Sequence, residues 1–450
     1  MLIKIILFIN NYELFLPKKM KHLLIFILFP IVVFSQNDKI KVYFNKYVDN
    51  NASSLVNATQ ITNLDDTLVS YIDRAEESID FSVYNNTNTK ITTAINNAYS
   101  RGVAIRYIAD SQTSNSALYG LNSNINVIEN VSTGIMHNKY VIIDYGIPEK
   151  TVLITGSTNF TSQSLFDDYN NMVIFYDNLI AEPFLVEFEE MWGSSTLTPN
   201  TSNAKFGTSK TDNTQHVIDV NGTEVEVYFS PTDGTTSKIV NVINSTNNDF
   251  YFAQFYLTEN SLGTAIRNIF SNGSKVKGLI EEANTSGSEF QSFISLGIEA
   301  YSYYDVPAIL HHKYCIVDPF TANSDPIVVT GSHNWSATAE EKNDENTVII
   351  HDLYVANMFY EEFNARLTQV DDIEDIKQEN YSFIKTENKI VIDNLGFYDK
   401  KISIYSIDGK LLFSAINNNF ISIDITNYKK GVYIVSVESN SNIITYKFVK

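Results

Sequence analysis

Two segments of the chain repeat one order of hydrophobic and polar positions. In "TAINNAYSRGVAIRYIAD" (Thr93–Asp110) a helical spacing of apolar residues runs to Gly102, and a β-rich apolar run follows. "TAIRNIFSNGSKVKGLIEE" (Thr264–Glu282) does the same around Gly273. Glycine is the expected residue where a helix stops and the chain turns. Upstream, "KVYFNKYVDN" from Lys41 resembles "EVYFSPTDGT" from Glu226. Downstream, "MHNKYVIID" (Met136–Asp144) pairs with "LHHKYCIVD" (Leu310–Asp318). "TGSTNFTSQSLFDDYNNMVIF" (Thr155–Phe175) pairs with "TGSHNWSATAEEKNDENTVII" (Thr330–Ile350). These four blocks keep their order at shifts of 171 to 185 positions. Such a period marks a duplicated domain, and helices alternating with apolar strands predict an α/β sandwich.

The remaining pattern sets the boundaries. Residues 36–197 are read as the first repeat and 223–370 as the second. A polar, turn-rich linker covers 198–222 between them, and a charged connector covers 371–380 after them. From 381 to 450 the helical spacing is lost. "KISIYSIDGKLLFSA" alternates apolar and polar residues on either side of Asp408-Gly409, a hairpin signal, and the alternation continues to the end. This predicts a small all-β sandwich. At the other end, "MKHLLIFILFPIVVFSQN" from Met20 has a basic start at Lys21 and an apolar run of signal-peptide length. Residues 20–35 are therefore expected to be a signal peptide cleaved after Ser35. Residues 1–19 read as an upstream extension, with Met20 as the start. A short membrane anchor is the alternative.

Composition narrows the class. The 450 residues, 44% hydrophobic, supply more core than one small domain uses. The formal charge is −20. Removal of 1–35 takes away four Lys and one Glu, which gives −23 (−20 minus 3). A chain this acidic exerts no long-range pull on nucleic acid or anionic membranes, although a local site can still be cationic. The single cysteine, Cys315, excludes an internal disulfide and is read as a small buried hydrophobe on a strand, with a thiol nucleophile as the alternative.

The chemistry lies in the two His-Lys stretches. A His and a Lys two apart on a strand share a face. His137 with Lys139, and His311 with Lys313, recur in equivalent places, each followed by Gly-Ser-x-Asn. Phosphodiester cleavage needs an in-line nucleophile, a proton for the leaving oxygen, and positive charge or donors on the non-bridging oxygens. Two imidazoles supply the first two needs, since histidine titrates near neutral pH. Lys139, Lys313, Asn159 and Asn334 can hold the phosphoryl oxygens, with Ser157 and Ser332 as further candidates. Seven His without zinc-type spacing give no metal cluster, so no metal and no cofactor is expected.

The doubled His-x-Lys-x4-Asp pattern with Gly-Ser-x-Asn resembles the phospholipase D superfamily over about residues 40–370. The resemblance implies a duplicated phospholipase D-like α/β sandwich with a pseudo-twofold active site. It implies that one of His137 and His311 attacks phosphorus to form a phosphohistidine. The other protonates the leaving alcohol and then activates water. His137 is favoured as nucleophile. Asp144 and Asp318 complete the motifs and are expected in structural hydrogen bonds. The tail, with "IDGKLL", "IDITNYKKGVYIVSV" and "YKFVK", resembles the C-terminal sorting domain of the type IX secretion system of Bacteroidetes. That implies export to the cell surface or beyond, through outer-membrane secretion machinery engaging residues 381–450. A carbohydrate-binding or adhesive β module is the alternative.

One departure separates the halves. Glu345 lies fourteen residues after Gly331, whereas the same offset from Gly156 gives Asn170. By resemblance, Glu345 orients a catalytic His. If it stands beside His311, it raises that pKa and suits His311 to the acid role. Asp168 is the other carboxylate in reach of the motif and could serve His137 instead. His312 and His333 are expected to make local polar contacts near the site. His216 and His351 have no motif context and are read as structural or solvent-exposed. Three functions remain: a secreted phospholipase D acting on a membrane phospholipid, a secreted metal-independent nuclease, and a non-catalytic binding protein. The phospholipase is favoured narrowly. "YSYYDVPAIL" (Tyr301–Leu310), running into His311, could face lipid, stack on bases, or pack in the core. Both motifs sit in one chain, so a monomer can complete the site.

Overall fold

The computed structural model describes residues 36–450 except 131–132, 305, 379–381, 387, 394–399, 418–419 and 439–442. The expected signal peptide and upstream extension lie outside the described residues. Among the described residues, no helix is long and apolar enough to cross a membrane.

The first repeat contains β1 (Ile40–Phe44), β2 (Thr59–Gln60), α1 (Leu64–Arg74), β3 (Ser78–Val83), α2 (Thr89–Ser100), β4 (Ala104–Asp110), β5 (Asn126–Asn130), β6 (Lys139–Ile143), β7 (Val152–Gly156), β8 (Asn171–Phe175) and α3 (Asn178–Trp192). The second contains β9 (Val217–Val220), β10 (Thr223–Ser230), α4 (Thr235–Asn244), β11 (Asp249–Gln254), α5 (Asn260–Ser271), β12 (Lys275–Ile280), α6 (Phe290–Leu296), β13 (Glu299–Ser302), β14 (Lys313–Val317), β15 (Ile327–Gly331), α7 (Ala337–Glu341), β16 (Glu345–His351) and α8 (Leu353–Gln378). Each repeat forms an eight-stranded sheet. The orders are β2-β1-β8-β7-β6-β3-β4-β5 and, read from the matching edge, β9-β10-β16-β15-β14-β11-β12-β13. Seven strands correspond one to one, and the eighth differs: β2 joins β1 in parallel, whereas β9 joins β10 antiparallel. The duplicated α/β sandwich read from the sequence is the fold observed.

The helices pack as their spacing dictates. Leu64, Leu68, Tyr71 and Ile72 of α1 are buried at i, i+4, i+7 and i+8, against Phe81 and Ile105 of the first sheet. α4 and α5 do the same on the second sheet through Ile239, Ile243, Leu262 and Ile266. The other faces of the two sheets share one core. Phe44, Tyr140, Phe184 and Trp192 from the first repeat pack with Phe229, Tyr251, Tyr314 and Phe359 from the second. That shared core fixes the ends of β6 and β14 relative to each other.

Two boundaries differ from expectation. The linker 198–222 ends in β9, which turns at Asn221-Gly222 into β10; both turn residues have positive φ (51° and 86°). Asn-Gly between alternating segments is a hairpin signal that the polar composition of the linker hid. The connector 371–380 continues α8 as far as Gln378. The tail forms a three-stranded sheet and a four-stranded sheet around Ile390, Ile402, Ile404, Ile423, Val435 and Phe448, the small all-β sandwich its alternation indicated.

Candidate active site

β6 and β14 begin at the motif lysines, so His137 and His311 sit just before a strand whose every residue is buried. The two histidine segments are fastened across the repeats. The His137 N–H donates to the Asp344 carbonyl (2.9 Å), and Asp344 N–H donates to the Ile135 carbonyl (2.9 Å). In the mirrored arrangement, His311 N–H donates to the Tyr169 carbonyl (3.1 Å) and Tyr169 N–H to the Ile309 carbonyl (2.8 Å). Two carboxylates brace the preceding residues: Met136 N–H donates to Asp110 Oδ2 (2.7 Å) and Leu310 N–H to Glu281 Oε2 (2.8 Å). Each motif lysine donates to the carbonyl of its own histidine at 2.7 Å. Each also lies over a ring, Lys139 over Tyr84 and Lys313 over Phe255.

The orienting groups are exchanged between repeats. Glu345 Oε2 lies 2.7 Å from His137 Nδ1, and Asn170 Oδ1 lies 2.9 Å from His311 Nδ1. Glu345 therefore stands beside His137, and the expectation that it raises the pKa of His311 is corrected. The cause is the cross-repeat bridge between Met136 and Asp344, which swings the start of β16 over the first repeat's histidine. An offset counted within one repeat cannot reveal that crossing. Asp168 does not serve His137 either. Its carboxylate accepts from Gln163 Nε2 (3.2 Å), and its charge is felt by Lys313.

Ser157 and Ser332 are fully buried and act on the orienting groups. Ser157 Oγ donates to Asn170 Oδ1 (2.8 Å), and Ser332 Oγ donates to Glu345 Oε2 (2.7 Å). Each also accepts the N–H of the next residue on β8 or β16 at 3.0 Å. Their expected place on the phosphate is thereby corrected. Gly156 and Gly331 precede them for a steric reason. Their φ values are +142° and +145°, and a Cβ would meet the Asn171 or Asn346 carbonyl oxygen at 2.4 or 2.2 Å. Asn159 and Asn334 are half-buried, and their side-chain oxygens have no partner among the described residues. Asp144 and Asp318 lie at the far ends of β6 and β14. Asp144 accepts the N–H groups of Glu76, Glu77 and Ser78, and Asp318 those of Asn247, Asn248 and Asp249. They fasten the turns into β3 and β11, as structural partners of the motif.

Electrostatics distinguish this cluster from an ordinary buried ion pair. Burial pushes His137 down to about 4; Glu345 opposes this and Lys139 adds to it. His311 is also lowered well below its usual value, by burial and by Lys313, Lys139 and His137. Burial brings Lys139 down to about 7 and lowers Lys313 strongly. Burial resists ionisation of Glu345, but His137 and Lys139 overcome it and hold it at about 2. At neutral pH Glu345 is thus a carboxylate that accepts from Nδ1–H of His137, leaving the Nε2 lone pair free. Asn170 Nδ2 donates to the Ser164 carbonyl (2.9 Å), which aims its oxygen at His311 Nδ1. Two imidazoles and two amines thus lie together with lowered pKa, only partly offset by Glu345, Asp110 and Asp168, an arrangement suited to an incoming anion.

Residues 68–192 and 239–367 match the family described as cardiolipin synthase, PLD-like domain, which covers more than half of the chain. The chain belongs to the phospholipase D-like family. Over 148 residues it is 30% identical to mitochondrial cardiolipin hydrolase of Drosophila melanogaster, covering 28% of this chain and 57% of that protein. Over 137 residues it is 36% identical to phospholipase D of Rickettsia prowazekii (strain Madrid E), covering 30% and 62%. The chain thus spans about six tenths of the length of these curated relatives. The crystal structure of phosphatidylserine synthase from Haemophilus influenzae Rd KW20 shares the fold. Its TM-score is 0.51 at 11% identity, over 75% of this chain and 87% of that one. Residues 380–450 match a secretion system C-terminal sorting domain, so this phospholipase D-like chain is secreted or displayed at the cell surface by the type IX route.

Sequence reasoning missed Asp110 and Glu281 as braces, although they occupy matching positions, 171 apart, at the ends of the segments that revealed the repeat. The pair Tyr84 and Phe255 was missed too; each packs on its repeat's histidine ring, at 4.8 and 5.2 Å between centroids. His312 accepts from Asn171 Nδ2 (3.1 Å), and His333 lies 3.5 Å from Glu340, both as local polar contacts. Cys315 is buried on β14, and burial pushes its thiol pKa up. In Tyr301–Leu310, Tyr303 and Leu310 are core residues while Tyr304 is 60% exposed.

Proposed function

We propose that this chain is a secreted phospholipase D-type enzyme that hydrolyses a phospholipid to phosphatidate and an alcohol through a phosphohistidine. The observation that carries this reading is the quartet of buried His137, Lys139 and Lys313 with half-buried His311, all with lowered pKa. A diester anion supplies the missing negative charge and restores protons to the quartet.

Within this reading the roles divide by orienting partner. His137 attacks phosphorus through Nε2, and the Glu345 carboxylate stabilises the cationic ring of the adduct. His311 faces a neutral amide. A proton taken up there on substrate binding is poorly stabilised and passes readily to the leaving oxygen. The neutral imidazole then draws a proton from water, which attacks the adduct and frees His137. Lys139, Lys313, Asn159 and Asn334 hold the phosphoryl oxygens. Ser332 and Ser157 keep Glu345 and Asn170 in place. No step calls for a metal.

Lipid is favoured as substrate because the curated relatives are a phospholipase D and a cardiolipin hydrolase. The net charge of −20 gives no long-range attraction to nucleic acid or to anionic lipid, so a zwitterionic head group is least affected. The test is a panel run in EDTA: phosphatidylcholine, phosphatidylethanolamine and cardiolipin vesicles beside single- and double-stranded DNA and RNA. His137→Asn and His311→Asn serve as controls. Alcohol and phosphatidate release lost in both variants supports the proposal. Nucleic-acid cleavage with intact lipid replaces it with the nuclease.

A further inference from the structure

Away from the catalytic cluster, three ligand-capable atoms converge on the outer face of the second sheet. Glu224 and Glu226 alternate along β10, so both side chains share one face. β16 runs antiparallel beside them with Val225 opposite Ile350, which brings His351, its last residue, next to Glu224. His351 Nε2 lies 3.2 Å from Glu226 Oε1 and 3.9 Å from Glu224 Oε1. Ligand atoms of all three residues lie within 4.8 Å of one another.

The surroundings hold these groups as a metal's outer partners do. His351 Nδ1 is 3.0 Å from both carboxylate oxygens of Asp325, which fixes the ring and turns Nε2 toward the glutamates. A carboxylate on the far nitrogen of a ligating imidazole is the recurrent support of zinc-bound histidine. Glu226 Oε2 accepts the Tyr228 hydroxyl, leaving Oε1 as the ligand oxygen. A cavity of about 330 Å³, lined by Glu226, Tyr228, Lys238, Asp325 and His351 among others, adjoins the group and leaves room for water as a fourth ligand. A tetrahedral zinc ion with bonds of about 2.0–2.1 Å sets its donors roughly 3.3 Å apart. The separations of 3.2 and 3.9 Å bracket that value. The other His-carboxylate group, Asp212, His216 and Asp233, lacks this arrangement: both oxygens of Asp233 are engaged, by the Phe229 N–H and the Thr232 hydroxyl.

We propose that His351, Glu226 and Glu224 bind a divalent transition ion of the zinc type, with Asp325 orienting the histidine. The ion clasps β10 to β16 and, through Asp325, to the turn before β15. Its role is structural and independent of phosphodiester hydrolysis.

The experiment uses purified full-length chain, loaded with zinc chloride and dialysed, with bound metal counted by plasma mass spectrometry and Tm measured with and without zinc. One zinc per chain is expected, with a Tm raised by zinc and lowered again by EDTA. His351→Ala and Glu226→Gln should lose the ion and the zinc-dependent rise; circular dichroism confirms that each is folded. Glu226→Gln keeps the shape of the site, so loss of the ion there is not a folding defect. Zinc absent from the wild type, or retained equally by both variants, overturns the proposal and leaves a salt bridge with adventitious metal. Hydrolysis unchanged by EDTA is expected alongside, so failure of this site and failure of the proposed function read out separately.

Discussion

Glu345 of the second repeat holds His137 of the first, 2.7 Å from its Nδ1. The corresponding partner of His311 is the neutral Asn170. The two half-sites are alike in backbone and unlike in charge, and the division of labour proposed for the histidines rests on that difference.

Glu345→Gln keeps a hydrogen bond to His137 and removes the charge. Turnover should fall on the order of 10²–10⁴-fold, the range seen when an orienting carboxylate or an acid–base group is lost. KM should change little. Glu345 raises the pKa of His137, so its loss should move the acid limb of kcat/KM to lower pH. Adding Asn170→Asp should raise the pKa of His311 without restoring the rate. pH–rate profiles of the three proteins check this. An acid limb that moves upward in Glu345→Gln contradicts the assignment.

Anion binding should be linked to proton uptake. At rest His137, at about 4, is neutral and Lys139, at about 7, is only partly protonated at neutral pH, and a phosphate-like anion favours the protonated forms. Affinity for tungstate or phosphate should therefore weaken as pH rises above 7. Calorimetry in buffers of differing ionisation enthalpy should show net proton uptake. Zero uptake, or release, contradicts the electrostatic reading.

Asp144→Asn and Asp318→Asn should lower stability and spare the chemistry. Each carboxylate accepts three backbone N–H groups at the far end of its strand. Losing such bonds costs about 1–3 kcal/mol. Chemical denaturation should report that loss, while kcat per folded molecule stays near wild type.

The motif spacing exposed the histidines, the lysines and the duplication because these repeat in the chain itself. It did not reveal which histidine Glu345 serves, because that is decided by a bridge between Met136 and Asp344, 208 positions apart. Ser157 and Ser332 were misplaced for a related reason. Their hydroxyls turn toward β8 and β16 because glycine with positive φ precedes them, and backbone angles cannot be read from residue types alone. β9 was hidden in a polar linker although its Asn-Gly turn was in plain view. Among the described residues the strands of the tail were legible, since alternation survives in their buried isoleucines and valines.

Lys139→Met should abolish turnover and stabilise the fold at neutral pH. The native amine titrates near 7, against a usual value of 10.5, so between those values the unfolded chain binds more protons than the native one. This difference destabilises the native state at neutral pH and is relieved as pH rises toward 10.5. A tenfold loss of proton affinity on folding corresponds to about 1.4 kcal/mol, so the substitution should regain at least about 1 kcal/mol at pH 7. The gain should vanish near pH 10.5. A lower Tm for Lys139→Met at pH 7 contradicts the sign.

The most direct test of the central claim is a single-turnover experiment with a p-nitrophenyl phosphodiester, whose leaving group needs no protonation. His311→Asn should release one equivalent of nitrophenolate and stall, with the phosphoryl adduct located on His137 by mass spectrometry after an alkaline quench. His137→Asn should give no burst. A burst from His137→Asn with the adduct on His311 would reverse the assigned roles and contradict the account.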